Sequence, residues 1–327
     1  MPEKPDLRDR QNRVLQNDAM RAAALDAFAA SDRASIRLLE QIKKIATTDS
    51  TVLIQGESGT GKDLVASLLH YLGPRLEQPL VKIDCASLPH ELLESELFGF
   101  ERGAFTGATQ MKHGRLELAL GGTVVFDEIS ALAPPMQAKL LRVIEERKFD
   151  RLGGSRPLPM KARIVALSNI NLEDAVARGL FREDLFYRLN VVPIIIPPLR
   201  ARPGDIPPIA KKLLATLATN YGRAPIELSL SAFEALGAYQ FPGNVRELRN
   251  ILERAMIHTS ASSISLEDLP ANIRNGRTAS TKPTLEDLER NYIAEILDHT
   301  RGKKSKAAEI LGISRKTLLE KRKKYQL

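Results

Sequence analysis

The segment TVLIQGESGTGKDLVASLLHYL, residues 51–72, does more than any other to limit what this chain can fold into. A short aliphatic run of strand character meets three glycines, Gly56, Gly59 and Gly61, and then a stretch with helical spacing of apolar side chains. That context turns G-x-x-x-x-G-K from a pattern into a phosphate-binding loop. The glycines let backbone N–H groups close around phosphate, and the start of the helix adds its partial positive charge. Gly56, Glu57, Ser58, Gly59, Thr60, Gly61, Lys62 and Asp63 are therefore candidate nucleotide-binding residues, with Lys62 reaching the β- and γ-phosphates. The usual Ser or Thr after the lysine, whose hydroxyl binds Mg²⁺, is Asp63 here, so metal binding must draw on other groups.

Around this segment, strand runs (LVKID, GGTVVFDE, ARIVALSN, VVPIII) alternate with helical ones (SIRLLEQIKKIA, PHELLESELFG, PPMQAKLLRVIEER). Such alternation predicts an α/β fold, a mainly parallel sheet covered on both faces. After PPLRARPGDIPP the strand signal disappears, and residues 205–270 read as a helical bundle. RNGRTASTKP, rich in Gly, Ser, Thr and Pro, reads as a linker. The expected organisation is a short N-terminal arm (1–30), an α/β domain (31–198), a helical domain (199–273), a linker (274–283) and an all-α C-terminal module (284–327).

TVVFDE supplies a partner for the phosphate loop. Asp127 and Glu128 emerge at the C-terminal end of a buried strand, where ligands bind in open α/β sheets. Asp127 is the candidate Mg²⁺ ligand, and Glu128 the candidate general base for an attacking water. Asn169 ends RIVALSN; it either positions water and senses the γ-phosphate or is a plain strand-to-loop residue. Arg182 and Arg188, six apart, either pair locally with Glu183 or Asp184 or act as arginine fingers on a neighbour's ATP, which requires a ring. GAFTGA, residues 103–108, sets Phe105 and Thr106 between small residues, where a large apolar ring has little to bury against.

The net charge is +8, and all of it is at one end. Residues 299–327 hold ten Lys/Arg and two Asp/Glu (10 − 2 = +8), leaving the other 298 residues balanced. Either the terminus is simply a solvated basic tail or it meets a polyanion. KKSKAAEILGISRKTLLEKRKKYQL reads as helix, turn, helix: Ala307, Ala308, Ile310 and Leu311 form an apolar face, Gly312 breaks the helix and Ser314 caps the next. No run of 18 apolar residues is present, the N-terminus lacks an apolar signal region, and Cys85 is the one cysteine. A reducing cytoplasm is the expected compartment, without a membrane span and, given the tail, near the nucleoid.

GESGTGKD, ELFGFERGAFTGA, GGTVVFDEIS, FREDLFYRLNV, PPLRARPGDI and FPGNVRELRN, in that order, resemble the sigma-54-dependent transcriptional activators, bacterial enhancer-binding proteins of the AAA+ class. The resemblance covers about residues 31–327. It implies an AAA+ P-loop ATPase domain, a helical lid and a Fis-type helix-turn-helix. It implies ATP and Mg²⁺, sigma-54 and RNA polymerase, upstream activator DNA, and a homo-oligomeric ring, usually hexameric, with dimeric DNA-binding domains. By resemblance Gly56 to Asp63 are Walker A, Asp127 and Glu128 Walker B, Asn169 sensor I and Arg246 sensor II. Arg182 and Arg188 fall in the arginine-finger region. Gly103, Ala104, Phe105, Thr106, Gly107 and Ala108 form the loop that touches sigma-54. The basic C-terminal module is by resemblance the DNA-binding helix-turn-helix, with Lys303, Lys304, Lys306, Ser314, Arg315, Lys316, Thr317, Lys321 and Arg322 as its implied DNA contacts. With no receiver or ligand-sensing domain expected, control would come from expression, assembly or a trans-acting regulatory protein. Three departures stand out: Asp63 for Glu, Asp84 for an Asn that restrains the Walker B glutamate, and Phe100 for His, the last expected to matter little.

Overall fold

The computed structural model describes residues 7–259, 263–274, 289–290, 292–293, 296–297, 300 and 304–325. The chain divides into two units, residues 1–276 and 277–327. Lys303 and residues 275–283 of the expected linker lie outside the described residues.

In the first unit, α1 (Leu7–Ala27) and α2 (Arg33–Ala46) lead into β1 (Val52–Gln55), α3 (Lys62–Tyr71), β2 (Leu80–Asp84) and α4 (His90–Phe98). A hairpin, β3 (Gly99–Phe100) and β4 (Lys112–His113), precedes α5 (Arg115–Leu118), β5 (Thr123–Asp127) and α6 (Pro134–Glu146). Then come β6 (Lys148–Phe149), β7 (Leu158–Pro159), β8 (Arg163–Ser168), α7 (Leu172–Ala177), α8 (Glu183–Leu189) and β9 (Val192–Ile195). Five strands form one parallel sheet in the order β2-β5-β8-β1-β9.

The side-chain period of two explains why these strands read as continuous apolar runs. Leu53, Val124, Phe126, Ile164 and Ala166 enter the core on one face. Their neighbours Val52, Ile54, Val125, Val165 and Leu167 enter the core on the other. All six residues of β8, the middle strand, are buried. Its first residue, Arg163, is buried too, because its guanidinium caps helix ends, donating to the carbonyls of Ile45 (2.9 Å), Ala46 and Leu69 (both 3.3 Å). The N-terminal arm is largely one helix, and Ala24, Leu25 and Phe28 pack on the second core.

The lid is built from α9 (Ile206–Asn220), α10 (Leu230–Ala238), α11 (Asn244–His258) and the short α12 (Ala271–Arg274) around Phe241, Leu248 and Leu252. Ser229 caps α10 by accepting the Ala232 N–H at 3.2 Å. The expectation that strands end before the lid needs correction, since β10 (Glu227–Leu228) and β11 (Ser263–Ile264) pair in parallel. Two residues per strand is too short for a periodic signal. Among the described residues no helix is long and apolar enough to cross a membrane.

In the second unit, helices Lys304–Ile310 and Arg315–Tyr325 close on Ile293, Ala307, Ala308 and Leu318. Gly312 at φ +64 makes the turn, and Ser314 caps the second helix, accepting the Thr317 N–H at 3.0 Å. Ile310, expected on the apolar face, is 42% exposed, whereas Leu311, expected there too, packs against the cluster together with Ile313 of the turn.

Candidate functional site

Parallel strands bring their C-terminal ends to one edge. Because β8 lies between β1 and β5, that edge carries the phosphate loop, Asn169 and the Asp127-Glu128 pair in sequence. Lys62 opens α3 and is 7% exposed. Its Nζ donates to the carbonyls of Gly56 (2.8 Å) and Glu57 (3.2 Å), so the loop curls around its own cation. Burial lowers the Lys62 pKa, and the fields of Glu128, Asp127 and Asp63 oppose that shift.

The lid sits directly on this loop. Gly59 has φ +79, and a Cβ there would lie 2.3 Å from the Gly243 carbonyl oxygen. The Val245 N–H donates to the Gly59 carbonyl at 3.0 Å. Buried Asn244 donates to the Ser58 carbonyl (3.0 Å) and to Glu57 Oε2 (3.1 Å), and its Oδ1 accepts the Leu199 N–H (2.8 Å). Arg246 donates to Ser58 Oγ at 2.7 Å, and Arg202 to the Thr60 carbonyl at 2.7 Å. Arg200 grips Glu57 with two nitrogens, at 2.8 and 2.5 Å. Arg200, aided by Asn244 and opposed by burial, holds the Glu57 carboxyl at about 2. Of these lid residues only Arg246 was singled out from sequence; Arg200, Arg202 and Asn244 lie in quoted motifs but carried no separate signal.

Beside the loop is a mainly apolar cavity of about 190 Å³, lined by Phe28, Leu64, Ile196, Ile209, Leu213 and Val245. Arg202 also lines it, and its Nε is buried without a partner among the described residues. An apolar slot next to a phosphate cradle suits a flat base. Sequence reasoning missed it because its walls come from the N-terminal arm, α3, β9 and the lid.

Asp127 ends β5, its Oδ1 accepting the Glu128 N–H at 3.0 Å. Glu128 holds a left-handed conformation, φ +51. Burial raises its pKa, Lys62 works against this, and Asp127 and Asp84 add to it. A carboxylate with increased proton affinity at a strand end can act as a general base. Asp84 lies opposite Asp127 in the strand register, and its Oδ1 accepts the Ala86 N–H at 2.9 Å. The carboxylate that replaces the restraining Asn is thus engaged in a turn. Cys85 is buried, and burial with the three neighbouring carboxylates pushes its thiol up to about 12.

A magnesium site here need not be an all-protein cage, because Mg²⁺ is commonly held by one or two carboxylates plus substrate phosphates. Among the described residues no cluster of three or more metal-ligating side chains is present. Asp127 Oδ2 does accept a cation: Lys82 Nζ lies 2.7 Å away and also pairs with Asp63 Oδ1. The carboxylate pair therefore fits a cation, supplied in this structure by Lys82.

The remaining candidates are more exposed. Asn169 follows Ser168 at the end of β8, on the surface. Arg182 pairs with Asp184 (2.7 and 3.0 Å) as one local alternative had it, whereas Arg188 pairs with Glu145 of α6 at 3.0 Å rather than with Glu183 or Asp184. Both arginines present roughly half their side-chain surface to solvent.

Residues 103–108 lie in the loop of the β3–β4 hairpin. Its base is fixed: Glu101 N–H donates to the Leu152 carbonyl at 3.0 Å, and Arg151 bridges Glu101 (2.7 Å) and Glu117 (2.7 Å). At the tip, Gly103 N–H donates to the Ala108 carbonyl (2.8 Å) and Ala108 N–H to that of Phe105 (3.0 Å). Thr106 is exposed, Ala108 buried, and Phe105 47% exposed. Phe105 meets Phe100, which lies below the loop, edge to face at 5.0 Å.

In the second unit Lys304, Lys306, Ser314, Arg315 and Lys316 are exposed and Thr317 is half-buried. Lys321 is tied to Glu289 at 2.5 Å, and Tyr325 donates to the same carboxylate at 2.7 Å.

Comparison with known proteins matches residues 28–195 to the Sigma-54 interaction domain, 200–286 to the AAA+ ATPase lid domain and 284–325 to the bacterial regulatory protein Fis family. The regulatory protein AtoC of Escherichia coli (strain K12) is 42% identical over 89% of this chain and 66% of its own. The Nif-specific regulatory protein of Azotobacter vinelandii is 45% identical over 85% of this chain and 55% of its own. The chain thus spans roughly half to two thirds of such relatives. The crystal structure of NtrX from Brucella abortus in complex with ADP aligns with a TM-score of 0.73 at 32% identity, over 97% of this chain and 73% of that one. A strand–loop–helix cradle under a helical lid, an exposed GAFTGA tip and a basic helix-turn-helix occur together in one family, and this chain belongs to it: the sigma-54-dependent transcriptional regulators with a Fis-type DNA-binding domain.

Proposed function

We propose that the chain is an ATP-hydrolysing activator that remodels sigma-54 RNA polymerase at promoters. The observation that carries this reading is the pairing, within one unit, of a closed phosphate loop facing Asp127 and Glu128 with an exposed Phe105-Thr106 tip on a braced hairpin. Gly56 to Asp63 would cradle the phosphates of ATP, and Lys62 would exchange its bonds to Gly56 and Glu57 for phosphate oxygens. The apolar cavity would take the base. Mg²⁺ held by Asp127 would neutralise charge on the β- and γ-phosphates. Glu128 would accept a proton from the attacking water, Asn169 would orient that water, and Arg246 would report the nucleotide to the lid.

Arg182 and Arg188, exposed and paired only to surface carboxylates, are free enough to be offered to a neighbouring copy in a ring. Hydrolysis would shift the hairpin and drive Phe105 and Thr106 against sigma-54. The second unit would hold the ring near the promoter: Ser314, Arg315, Lys316 and Thr317 begin the helix that enters the major groove, and Lys304, Lys306 and Arg322 meet phosphate. Lys321 would have to leave Glu289 to do the same.

The test is melting of promoter DNA held by sigma-54 holoenzyme when ATP is added to the protein. ATP-dependent melting that fails with Lys62→Ala is the expected result. Absence of melting, despite DNA binding and ATP turnover, would overturn it.

A further inference from the structure

We propose that Lys82 is a built-in counter-cation of the nucleotide site, holding Asp127 and Asp63 in the metal-free state and setting how far nucleotide binding depends on Mg²⁺. The inference rests on the ATP reading above. Lys82 lies on β2, where alternation sends Ile83 into the core and leaves Lys82 and Asp84 on the opposite side. Its ammonium reaches Asp127 Oδ2 at 2.7 Å and pairs with Asp63 Oδ1, joining the ends of two strands to the first turn of α3. Asp84 does not compete for it, being bonded to the Ala86 N–H. Lys62 does not replace it, since its Nζ is held by two carbonyls.

A carboxylate at position 63 makes this cation matter. The usual hydroxyl after the loop lysine is neutral, whereas Asp63 adds a second carboxylate beside Asp127. Without compensation the two would repel each other and any incoming phosphate. Lys82 cancels that repulsion, so the phosphates of ADP can settle before a metal arrives. The Lys82 side chain is 46% exposed and Asp127 only 17%, so the lysine is the partner that swings away when Mg²⁺ takes the carboxylate. Lys82 is a positioning residue: it acts on Asp127 and Asp63, not on the reacting atoms.

The test is calorimetric titration of ADP into the full-length chain with Mg²⁺ and with EDTA, comparing the ratio of the two dissociation constants. Removing one charge at this partly exposed site in Lys82→Met should raise the ratio roughly tenfold, mostly through weaker binding in EDTA. Lys82→Arg should keep the parent ratio, a rescue that a purely structural role would not predict. Lys82→Gln carries the same test if Lys82→Met does not fold. An unchanged or smaller ratio in the neutral variants would overturn the inference while leaving the ATP reading intact. Failure of the parent to bind ADP in either buffer would overturn both.

Discussion

Two glycine-rich loops of the first unit share a composition and little else. In the phosphate loop, Gly59 is pressed against lid backbone, and the space a Cβ would need is already taken by the Gly243 carbonyl. In the hairpin loop, Gly107 also has positive φ (+106), yet nothing lies within 4 Å of the Cβ position. The first loop uses glycine for close approach, the second for conformational freedom. One is locked by Arg200, Arg202, Asn244 and Arg246; the other has a braced base and, at its tip, one ring resting on Phe100. On the proposed function, nucleotide chemistry would be converted into motion, and such a contrast between a fixed loop and a less constrained one is what that conversion would need.

The contrast is broken most directly by methyl groups. Gly59→Ala combines a backbone clash with a left-handed residue, a cost of about 3 kcal/mol, and should abolish ADP binding. Gly107→Ala has room and should cost about 1 kcal/mol, with ADP binding intact. Urea unfolding and calorimetry of both variants check this, and equal costs would erase the distinction. Next in size is Phe100→Ala. Losing the edge-to-face contact, worth about 1 kcal/mol, should speed exchange of the Ala108 amide several-fold without touching the phosphate loop.

A smaller effect concerns pH. The Glu57 carboxyl is held at about 2 against an ordinary 4.5, so its contribution is full above 4.5 and is lost as pH falls toward 2. Both partners are more than a third exposed, so solvent screening limits the contribution to under about 1 kcal/mol. The stability gap between parent and Glu57→Gln should be constant above pH 4.5 and close below it. Smallest is a null effect: with its thiol pushed to about 12, Cys85 should resist thiol reagents at pH 8 until the protein unfolds.

Much of this molecule was legible in its sequence because the informative features are local. The buried strands announce themselves as apolar runs, and the phosphate loop, the acid pair and the GAFTGA tip are contiguous. The Ser314 cap and the Gly312 turn needed only a few neighbouring residues. Features assembled from distant segments were not legible. The apolar cavity beside the phosphate loop draws Phe28, Ile196, Ile209 and Val245 from four stretches of chain. Arg188 finds Glu145 across two helices, and nothing in its neighbourhood marks that choice. Lys82 carried no separate signal in the run LVKID, because its ion pairs with Asp127 and Asp63 depend on the pairing of β2 with β5 and on the placing of α3. Ile310 shows the limit of periodicity, since one position's error in phase moves an apolar residue from core to solvent.

The most direct test of the link between the two loops is Thr106→Ala assayed for ATP turnover and for opening of a sigma-54 promoter complex in the same preparation. The account predicts turnover at the parent level with opening lost, because Thr106 is exposed at the tip of the hairpin loop. Opening retained by Thr106→Ala, or turnover lost together with opening, would contradict it.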